Sequence, residues 1–228
     1  MRHVLVTGSS RGIGRAIVKA LLESGYNVTG ISRSNTNPIE GMTFHFADLN
    51  DIDTTSRLIN NLCSTENISA VVCNAGSGKF GSLETHSPTQ ISQHLQLNLC
   101  SPLVVAQAAL PLLKKHARSD LIFMGSESSM QGGRYGSLYS AAKFGLRGAA
   151  QSLKHECASA NCHVGIVQPG MVRTSFFDEL DFEPGPSDDN AILPDEVAKA
   201  VISMLEASDH TVIDEIVLNP IKRVVQKK

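Results

Sequence analysis

The sequence predicts an α/β protein in which one doubly wound, mainly parallel sheet of seven strands is covered by helices on both faces. Three observations lead to this class. Short apolar runs alternate with segments of helical periodicity, a glycine-rich turn joins the first run to the first helix, and no linker rich in Pro, Gly or Ser interrupts the 228 residues. This alternation is typical of βαβ units, and the unbroken pattern predicts one domain over residues 1–228.

The elements follow from the period of the apolar residues. Alternating or continuous β-branched runs predict strands over 3–7, 26–32, 42–47, 68–73, 120–126, 162–168 and 211–218. Helical periodicity predicts helices over 11–25, 51–65, 137–160 and 194–208. A further long helix is expected to start with Ser87 as N-cap and Pro88 as first helical residue, and Pro102 and Pro111 should bend or split it.

Composition restricts the class of partner. The chain has 20 basic and 22 acidic residues, so its formal net charge of −2 gives no general attraction to nucleic acid or to an anionic membrane. The apolar N-terminal run is too short for a signal peptide, and no uninterrupted apolar run approaches membrane-spanning length. We therefore expect a cytoplasmic protein that acts on a small molecule.

The cysteines support the same expectation. Their number is odd, most of them lie in apolar segments, and they form neither a C-x-x-C pair nor a His-rich ligand pattern. Reduced, buried thiols in a cytosolic protein are expected, and no metal site is predicted. The five positions are Cys63, Cys73, Cys100, Cys157 and Cys162.

The glycine-rich turn from Thr7 to Gly14, TGSSRGIG, indicates a phosphate site. Gly8 permits a tight turn, Gly12 lets the backbone approach a pyrophosphate, and Gly14 lets helix and strand pack closely. The N-terminus of the following helix attracts the anion. The spacing G-x-x-x-G-x-G resembles the turn of the classical short-chain dehydrogenase/reductase family, which implies a Rossmann fold and a nicotinamide cofactor. The resemblance places the cofactor against Gly8, Ser10, Arg11, Gly12, Ile13 and Gly14.

The end of the second predicted strand indicates which nicotinamide cofactor is preferred. A carboxylate at this place accepts hydrogen bonds from ribose hydroxyls, whereas a cation pairs with a 2′-phosphate. Residues 30–34 read GISRS and contain no acid, while Arg33 and Arg11 are basic. Either arginine alone is more often a solvated surface residue. Together they resemble the family members that prefer NADP(H), with NAD(H) as the alternative cofactor.

Two further strand ends resemble cofactor motifs of the family. Asp48 and Leu49 resemble the pair whose acid holds the adenine amino group, and Asn74, Ala75 and Gly76 resemble the N-A-G turn beside the adenine ribose. The family commonly has a second asparagine where this chain has Cys73, which removes one hydrogen bond from the pattern.

The turn after the sixth predicted strand resembles the P-G-x-V-x-T motif of the family. Its backbone and threonine contact the nicotinamide side of the cofactor in relatives. The matching residues here are Pro169, Gly170, Val172 and Thr174.

Tyr139 and Lys143 are the candidates for proton transfer. Four residues apart on the predicted helix, they share one face. An ammonium about 4 Å from the phenol, at an effective dielectric of about 20, would favour the phenolate by roughly 4 kcal/mol. This predicts a tyrosine pKa about 3 units below 10, close to neutral pH. An isolated Y-x-x-x-K also occurs on ordinary amphipathic helices, so the prediction depends on its neighbours.

Ser126 and Asn98 complete the pattern. Ser126 precedes Tyr139 by thirteen residues at the end of a predicted strand, and this spacing resembles the catalytic Ser, Tyr-x-x-x-Lys set of the family. Ser128 and Ser129 are nearby rivals, and the spacing favours Ser126. Asn98 resembles the asparagine that holds a water beside the lysine; the alternative is an amide with a purely structural hydrogen bond.

The resemblance covers Thr7 to Thr174 and implies hydride transfer between the nicotinamide and a carbonyl or alcohol carbon. In that scheme Ser126 binds the substrate oxygen, Tyr139 exchanges the proton, and Lys143 lowers the tyrosine pKa and binds the nicotinamide ribose. Relatives are homodimers or homotetramers. A non-catalytic NADP(H) sensor is the alternative, and an epimerase or dehydratase of the extended branch would need a longer C-terminal domain.

Substrate choice is assigned to three segments: 77–87, 127–136 and 171–193. We call 171–193 the substrate loop; it contains Phe176, Phe177 and Phe182 among acidic residues. Tyr135, which has no lysine four residues on, is expected to line the same pocket. The last ten residues, 219–228, form a basic tail without an assigned role, and the sequence does not define the substrate.

Overall fold

In a computed structural model, which describes residues 1–208 and 210–228, seven strands form one parallel sheet in the order β3-β2-β1-β4-β5-β6-β8. The predicted doubly wound α/β fold is confirmed. The order reverses between β1 and β4, which opens a crevice at the carboxyl ends of these strands. The strands are β1 His3–Thr7, β2 Asn27–Ser32, β3 Met42–Phe46, β4 Ala70–Cys73, β5 Ser119–Met124, β6 Cys162–Pro169, β7 Phe182–Pro184, β8 Glu215–Leu218 and β9 Val225–Lys227.

Helices cover both faces of the sheet. They are α1 Gly12–Glu23, α2 Ile52–Thr65, α3 Pro88–Leu95, α4 Ser101–Leu113, α5 Ser137–Cys157 and α6 Pro194–Leu205. Along β1, Leu5 enters the core shared with α2, α4 and α5, whereas Val4 and Val6 enter the core shared with α1 and α6. Side chains of a strand alternate between faces, so a parallel sheet with two helical layers needs apolar residues at every position.

The long apolar helix is divided just before Pro102. A π-helical segment, Gln96–Cys100, separates α3 from α4. The predicted start is confirmed, because Ser87 and Gln90 form a capping box and Pro88 lies in the first turn. The break precedes Pro102, which the first turn of α4 tolerates because that turn needs no N–H there, while Pro111 stays inside α4.

By length and composition alone, the helical run Pro88–Leu113 would be long and apolar enough to cross a membrane, with a mean hydropathy of 1.4. In the structure α4 packs against α2, and the π-helical segment packs against α5. Of the most apolar stretch of this run, 39% is buried inside the fold.

The tail forms a small sheet that the sequence did not predict. β9 pairs antiparallel with β7 of the substrate loop, Phe182 opposite Lys227 and Pro184 opposite Val225. The Lys222 ammonium lies 2.6 Å from the Asp189 carboxylate, and its backbone N–H donates to the Asp189 carbonyl at 2.9 Å. Strands of three residues carry too little periodicity to be recognised in a sequence. The tail thus fastens the substrate loop from outside.

Removing residues 222–228 should loosen the substrate loop, because β7 then loses its only partner strand in the described chain. We expect limited proteolysis to cut the loop between residues 178 and 189, and the Tm to fall by about 2–4 °C per kcal/mol lost. The control is Lys227→Ala, which alters an exposed side chain and keeps the backbone pairing. A truncated chain with the proteolytic pattern of the wild type would contradict this function of the tail.

Candidate active site

At each of the three glycines of the turn, a side chain would clash with a neighbour or strain the backbone. Gly8 has φ +69°, and a Cβ there would lie 2.9 Å from the Cα of Ala75. A Cβ on Gly14 would lie 2.1 Å from the Gly8 carbonyl oxygen. Gly12 has φ +53° and faces Thr174, whose side chain would be 3.5 Å from a Cβ. The turn therefore presents bare backbone at the crevice between β1 and β4.

The start of α1 fits a bound phosphate. Arg11 is its N-cap residue and makes no side-chain capping hydrogen bond, so the first N–H groups of the helix are not capped by it. Together with the bare glycine turn, these groups fit the pyrophosphate of a dinucleotide. Arg11 and Arg33 are both exposed beside this crevice, and neither has an ion pair within residues 1–208 and 210–228.

Asn74 locks the turn to the neighbouring strand end. Its Nδ2 donates to the carbonyls of Thr7 and Gly8, at 3.0 and 3.2 Å. In return the Thr7 hydroxyl oxygen accepts from the backbone N–H groups of Asn74 and Ala75, at 3.0 and 3.2 Å. The sequence indicated only a ribose contact for Asn74. The structure gives its side chain a second function, which is to hold the glycine turn in shape.

The other strand-end candidates lie at the same carboxyl edge. Asp48 is exposed after β3, and its carboxylate accepts two hydrogen bonds of 3.0 Å from Asn50. Leu49 beside it is buried. After β6, the Gly170 N–H donates to the Leu218 carbonyl at 2.8 Å, which fixes the turn that leads to Thr174. The assignment of these residues to cofactor binding stays a prediction.

Ser126, Tyr139 and Lys143 lie together in a buried pocket. Each is less than a tenth exposed. Ser126 follows β5, and Tyr139 and Lys143 lie one turn apart near the start of α5. The Lys143 ammonium donates to the Met124 carbonyl at 2.8 Å and lies 5.7 Å from the centre of the Tyr139 ring. The structure thus brings together the three residues that the sequence singled out.

The predicted pKa of Tyr139 is wrong in direction. Burial raises the pKa of Tyr139 to about 12, and the interaction with the Ser126 hydroxyl only partly opposes this effect. Burial also lowers the pKa of Lys143 from 10.5 to about 8. The cost of removing both groups from water has a larger effect on the two pKa values than the attraction between the phenolate and the ammonium.

Asn98 lies in the π-helical segment, next to the pocket. Its Oδ1 accepts from the Ser77 N–H at 3.1 Å, and its Nδ2 donates to the His94 carbonyl at 3.0 Å. A Cβ on Gly76 would lie 2.8 Å from the same Oδ1 and 3.8 Å from the Lys143 ammonium. The asparagine side chain is therefore engaged in holding the strand end at residues 76–77 against α3.

His94 is a pocket residue that the sequence analysis missed. Its side chain is buried, with ring centres 6.0 Å apart between His94 and Tyr139. Burial and the nearby Lys143 charge lower the pKa of His94 to about 4, so the imidazole is neutral at pH 7. Its position four residues before Asn98 on the same helix face was the one available signal.

Aromatic side chains from two of the predicted substrate segments meet at Tyr139. Ring centres are 5.1 Å apart for Phe80 and Tyr139, 6.0 Å for Phe176 and Tyr139, and 5.0 Å for Phe80 and Phe182. The Tyr135 side chain is 50% exposed, its φ is +62°, and the Arg134 guanidinium lies 4.7 Å from the centre of its ring. The expected pocket position of Tyr135 stays a prediction.

The fold and the crevice at its switch point define a Rossmann-type α/β protein. A family model described as short chain dehydrogenase matches residues 2–184. The chain therefore belongs to the short-chain dehydrogenase/reductase family, whose oxidoreductases act on carbonyl and alcohol groups.

Relatives of the chain include several reductases. The chain is 25% identical to a sepiapterin reductase of Chlorobaculum tepidum over 99% of both chains. It is 32% identical to a 3-dehydrosphinganine reductase of Arabidopsis thaliana over 92% of this chain and 69% of that protein. Among solved structures, an alcohol dehydrogenase of Thermococcus sibiricus in complex with 5-hydroxy-NADP superposes with a TM-score of 0.86, at 25% identity, over 98% of this chain and 99% of that one.

Replacing Lys143 by methionine should stabilise the protein at neutral pH. A pKa lowered from 10.5 to about 8 means that the buried ammonium costs roughly 3 kcal/mol below pH 8. Lys143→Met removes this cost, but it also loses the hydrogen bond to Met124, which contributes about 1 kcal/mol. We therefore expect the free energy of unfolding at pH 7 to rise by about 2 kcal/mol.

The gain should vanish as the pH rises. Between pH 8 and 10.5 the unfolded chain binds more protons than the folded one, so the wild type gains stability with pH and the difference closes. Thermal unfolding at pH 7 and pH 10 measures both effects. Lys19→Met, at an exposed position of α1, is the control. A Lys143→Met protein that is less stable than the wild type at pH 7 would contradict this account.

Proposed function

We propose that the chain is a one-domain NADP(H)-dependent oxidoreductase that transfers hydride between the nicotinamide and a small carbonyl or alcohol substrate. The observation that carries the proposal is the buried grouping of Ser126, Tyr139 and Lys143 at the same sheet edge as the glycine turn. The sepiapterin and 3-dehydrosphinganine reductases among its relatives support a carbonyl substrate.

In this proposal the residues of the pocket bind and protonate the substrate oxygen. The Ser126 hydroxyl holds that oxygen, and the Tyr139 phenol donates a proton to it. Because its pKa is raised to about 12, the phenol is protonated at neutral pH, which suits the reduction of a carbonyl. Lys143 positions the nicotinamide ribose, and Asn98 holds the strand end beside it. When bound, the nicotinamide supplies or accepts the hydride.

The preference for NADP(H) rests on charge at the crevice. Arg11 and Arg33 are exposed, and Ser32 and Ser34 stand where an acid would favour NAD(H). A guanidinium pairs with a phosphate through strong, charge-assisted hydrogen bonds. The Thermococcus sibiricus enzyme, solved with 5-hydroxy-NADP, supports this choice.

We also propose a cytoplasmic homodimer or homotetramer. A surface groove between α4 and α5 is lined by apolar side chains, among them Leu103, Leu110, Pro111 and Leu153. A second copy of this chain would bury these side chains and remove them from water. The five cysteines are free, and four of them are buried, which suits a reducing compartment.

Tyr139→Phe should abolish turnover without weakening cofactor binding. The change removes only the hydroxyl that donates the proton, so kcat should fall by at least about 100-fold while the Kd of NADPH changes less than about twofold. Nicotinamide absorbance with a panel of aldehydes, ketones, diketones and hydroxy acids measures turnover. Tyr26→Phe, at a half-buried tyrosine that precedes β2 at the opposite edge of the sheet, is the matched control. A wild type that binds NADPH and turns over no member of the panel would favour a redox sensor instead.

NADPH should bind more tightly than NADH. Arg11→Ala and Arg33→Ala should each weaken NADPH binding about tenfold and leave NADH binding nearly unchanged, because each removes one phosphate partner. Fluorescence titration of both cofactors measures these constants. Arg57→Ala, at an exposed arginine of α2, is the control. Tighter binding of NADH to the wild type would refute the roles of both arginines.

A further inference from the structure

A chain of hydrogen-bonded polar side chains begins at the Ser126 backbone. Gln168, in β6, is fully buried, and its Oε1 accepts from the Ser126 backbone N–H at 2.8 Å. The Gln168 Nε2 donates to Glu215 of β8 at 3.0 Å. Arg147 of α5 in turn donates to the other Glu215 oxygen at 3.0 Å. Three strands and one helix are thus joined at the residue that holds the substrate oxygen.

The two ends of this chain determine which way the Gln168 amide points. A backbone N–H can only donate, so the amide must present its oxygen to Ser126. An ionised carboxylate can only accept, so the amide must present its NH₂ group to Glu215. Arg147 contacts both Glu215 oxygens and holds that carboxylate in place. The orientation of Gln168 therefore satisfies both neighbours at once.

Gly125 is the residue that lets Gln168 reach this position. A Cβ on Gly125 would lie 2.0 Å from the Gln168 Oε1. The Gly125 N–H donates to the Val167 carbonyl at 2.8 Å, which keeps the ends of β5 and β6 in register. Because Gly125 has no side chain, the Gln168 amide fits between the two strand ends.

Ser126 is consequently held at two of its atoms. Its N–H is bound by Gln168, and its Oγ accepts from the Ser128 N–H at 3.2 Å. The Ser128 bond leaves the hydroxyl hydrogen free to be donated toward a substrate oxygen. Without an acceptor at position 168, the Ser126 N–H would be buried and unpaired, and the strand end would have to shift to satisfy it.

We propose that Gln168 is a positioning residue for Ser126, held in orientation by Glu215 and Arg147. This inference rests on the proposed oxidoreductase function. Gln168 contacts neither the reacting atoms nor Tyr139; it acts through the Ser126 backbone. Arg147 lies on the same face of α5 as Tyr139 and Lys143, at successive steps of four residues, so the network also ties the serine to the helix of the proton donor.

A double-mutant cycle with Ser126 tests this proposal. Gln168→Leu should lower kcat about tenfold, with the Kd of NADPH unchanged, because a misplaced Ser126 affects only the bound substrate oxygen. In a Ser126→Ala background the same change should have no further effect on kcat, since the hydroxyl that Gln168 positions through the backbone is gone. Gln93→Leu, at an exposed glutamine of α3, is the control. An undiminished tenfold loss in the Ser126→Ala background would overturn the proposal.

Exchange of the two side chains gives a second test. Gln168→Glu alone places two carboxylates side by side and should lower kcat at least as much as Gln168→Leu. When Glu215→Gln is added, the new amide at position 215 can donate to the new carboxylate at position 168, which still accepts from the Ser126 N–H. We therefore expect kcat to recover to within about threefold of the wild type. A double variant as impaired as Gln168→Glu would count against the network.

A readout that needs no substrate separates this inference from the proposed function. Amide hydrogen exchange followed by NMR should show strong protection of the Ser126 N–H in the wild type and in the exchanged double variant, and at least tenfold faster exchange in Gln168→Leu. If no carbonyl is reduced by the wild type with NADPH, the proposed function fails, while this pattern still supports the hydrogen-bond network. Equal protection in Gln168→Leu would overturn the positioning role even if the enzyme is active.

Discussion

The parallel arrangement of the sheet is the constraint on which the candidate site depends. Parallel strands end on one side, so Gly8 after β1, Asn74 after β4, Ser126 after β5 and the turn after β6 meet at one edge although they are far apart in sequence. The contacts between these strand ends are specific. Asn74 bonds the glycine turn, Gln168 bonds Ser126, and Thr174 lies against Gly12. Each strand end therefore supports its neighbour as well as contributing a candidate group.

Burial determines the charge state of the pocket. It raises the pKa of Tyr139, and it lowers those of Lys143 and His94, so each group is shifted toward its neutral form. The phenol and the imidazole are neutral at pH 7, and the lysine remains the cation of the pocket. This arrangement costs stability, as is common where a site is built for chemistry. A protonated phenol beside a hydroxyl donor is suited to giving a proton to a carbonyl oxygen.

The aromatic side chains around Tyr139 come from segments that are far apart in the sequence. Phe80 and Phe176 contact Tyr139. Phe182 contacts Phe80 and belongs to the strand that pairs with the tail. A two-stranded ribbon is marginal by itself, so the Lys222 contacts with Asp189 are part of what keeps the substrate loop over the pocket. The substrate loop and the tail are thereby connected through one pair of strands.

By itself the sequence determined the fold class, most element positions and the candidate residues Ser126, Tyr139 and Lys143, because apolar periodicity, glycine turns and short motif spacings are local properties. It also located the capped start at Ser87 and Pro88. Only the tertiary structure revealed the π-helical break before Pro102, the β7–β9 ribbon and the buried His94. It also reversed the expected pKa shift of Tyr139 and revealed the link from Gln168 to Ser126. These features depend on burial and on contacts between segments that are distant in the sequence. Local sequence patterns report on neither.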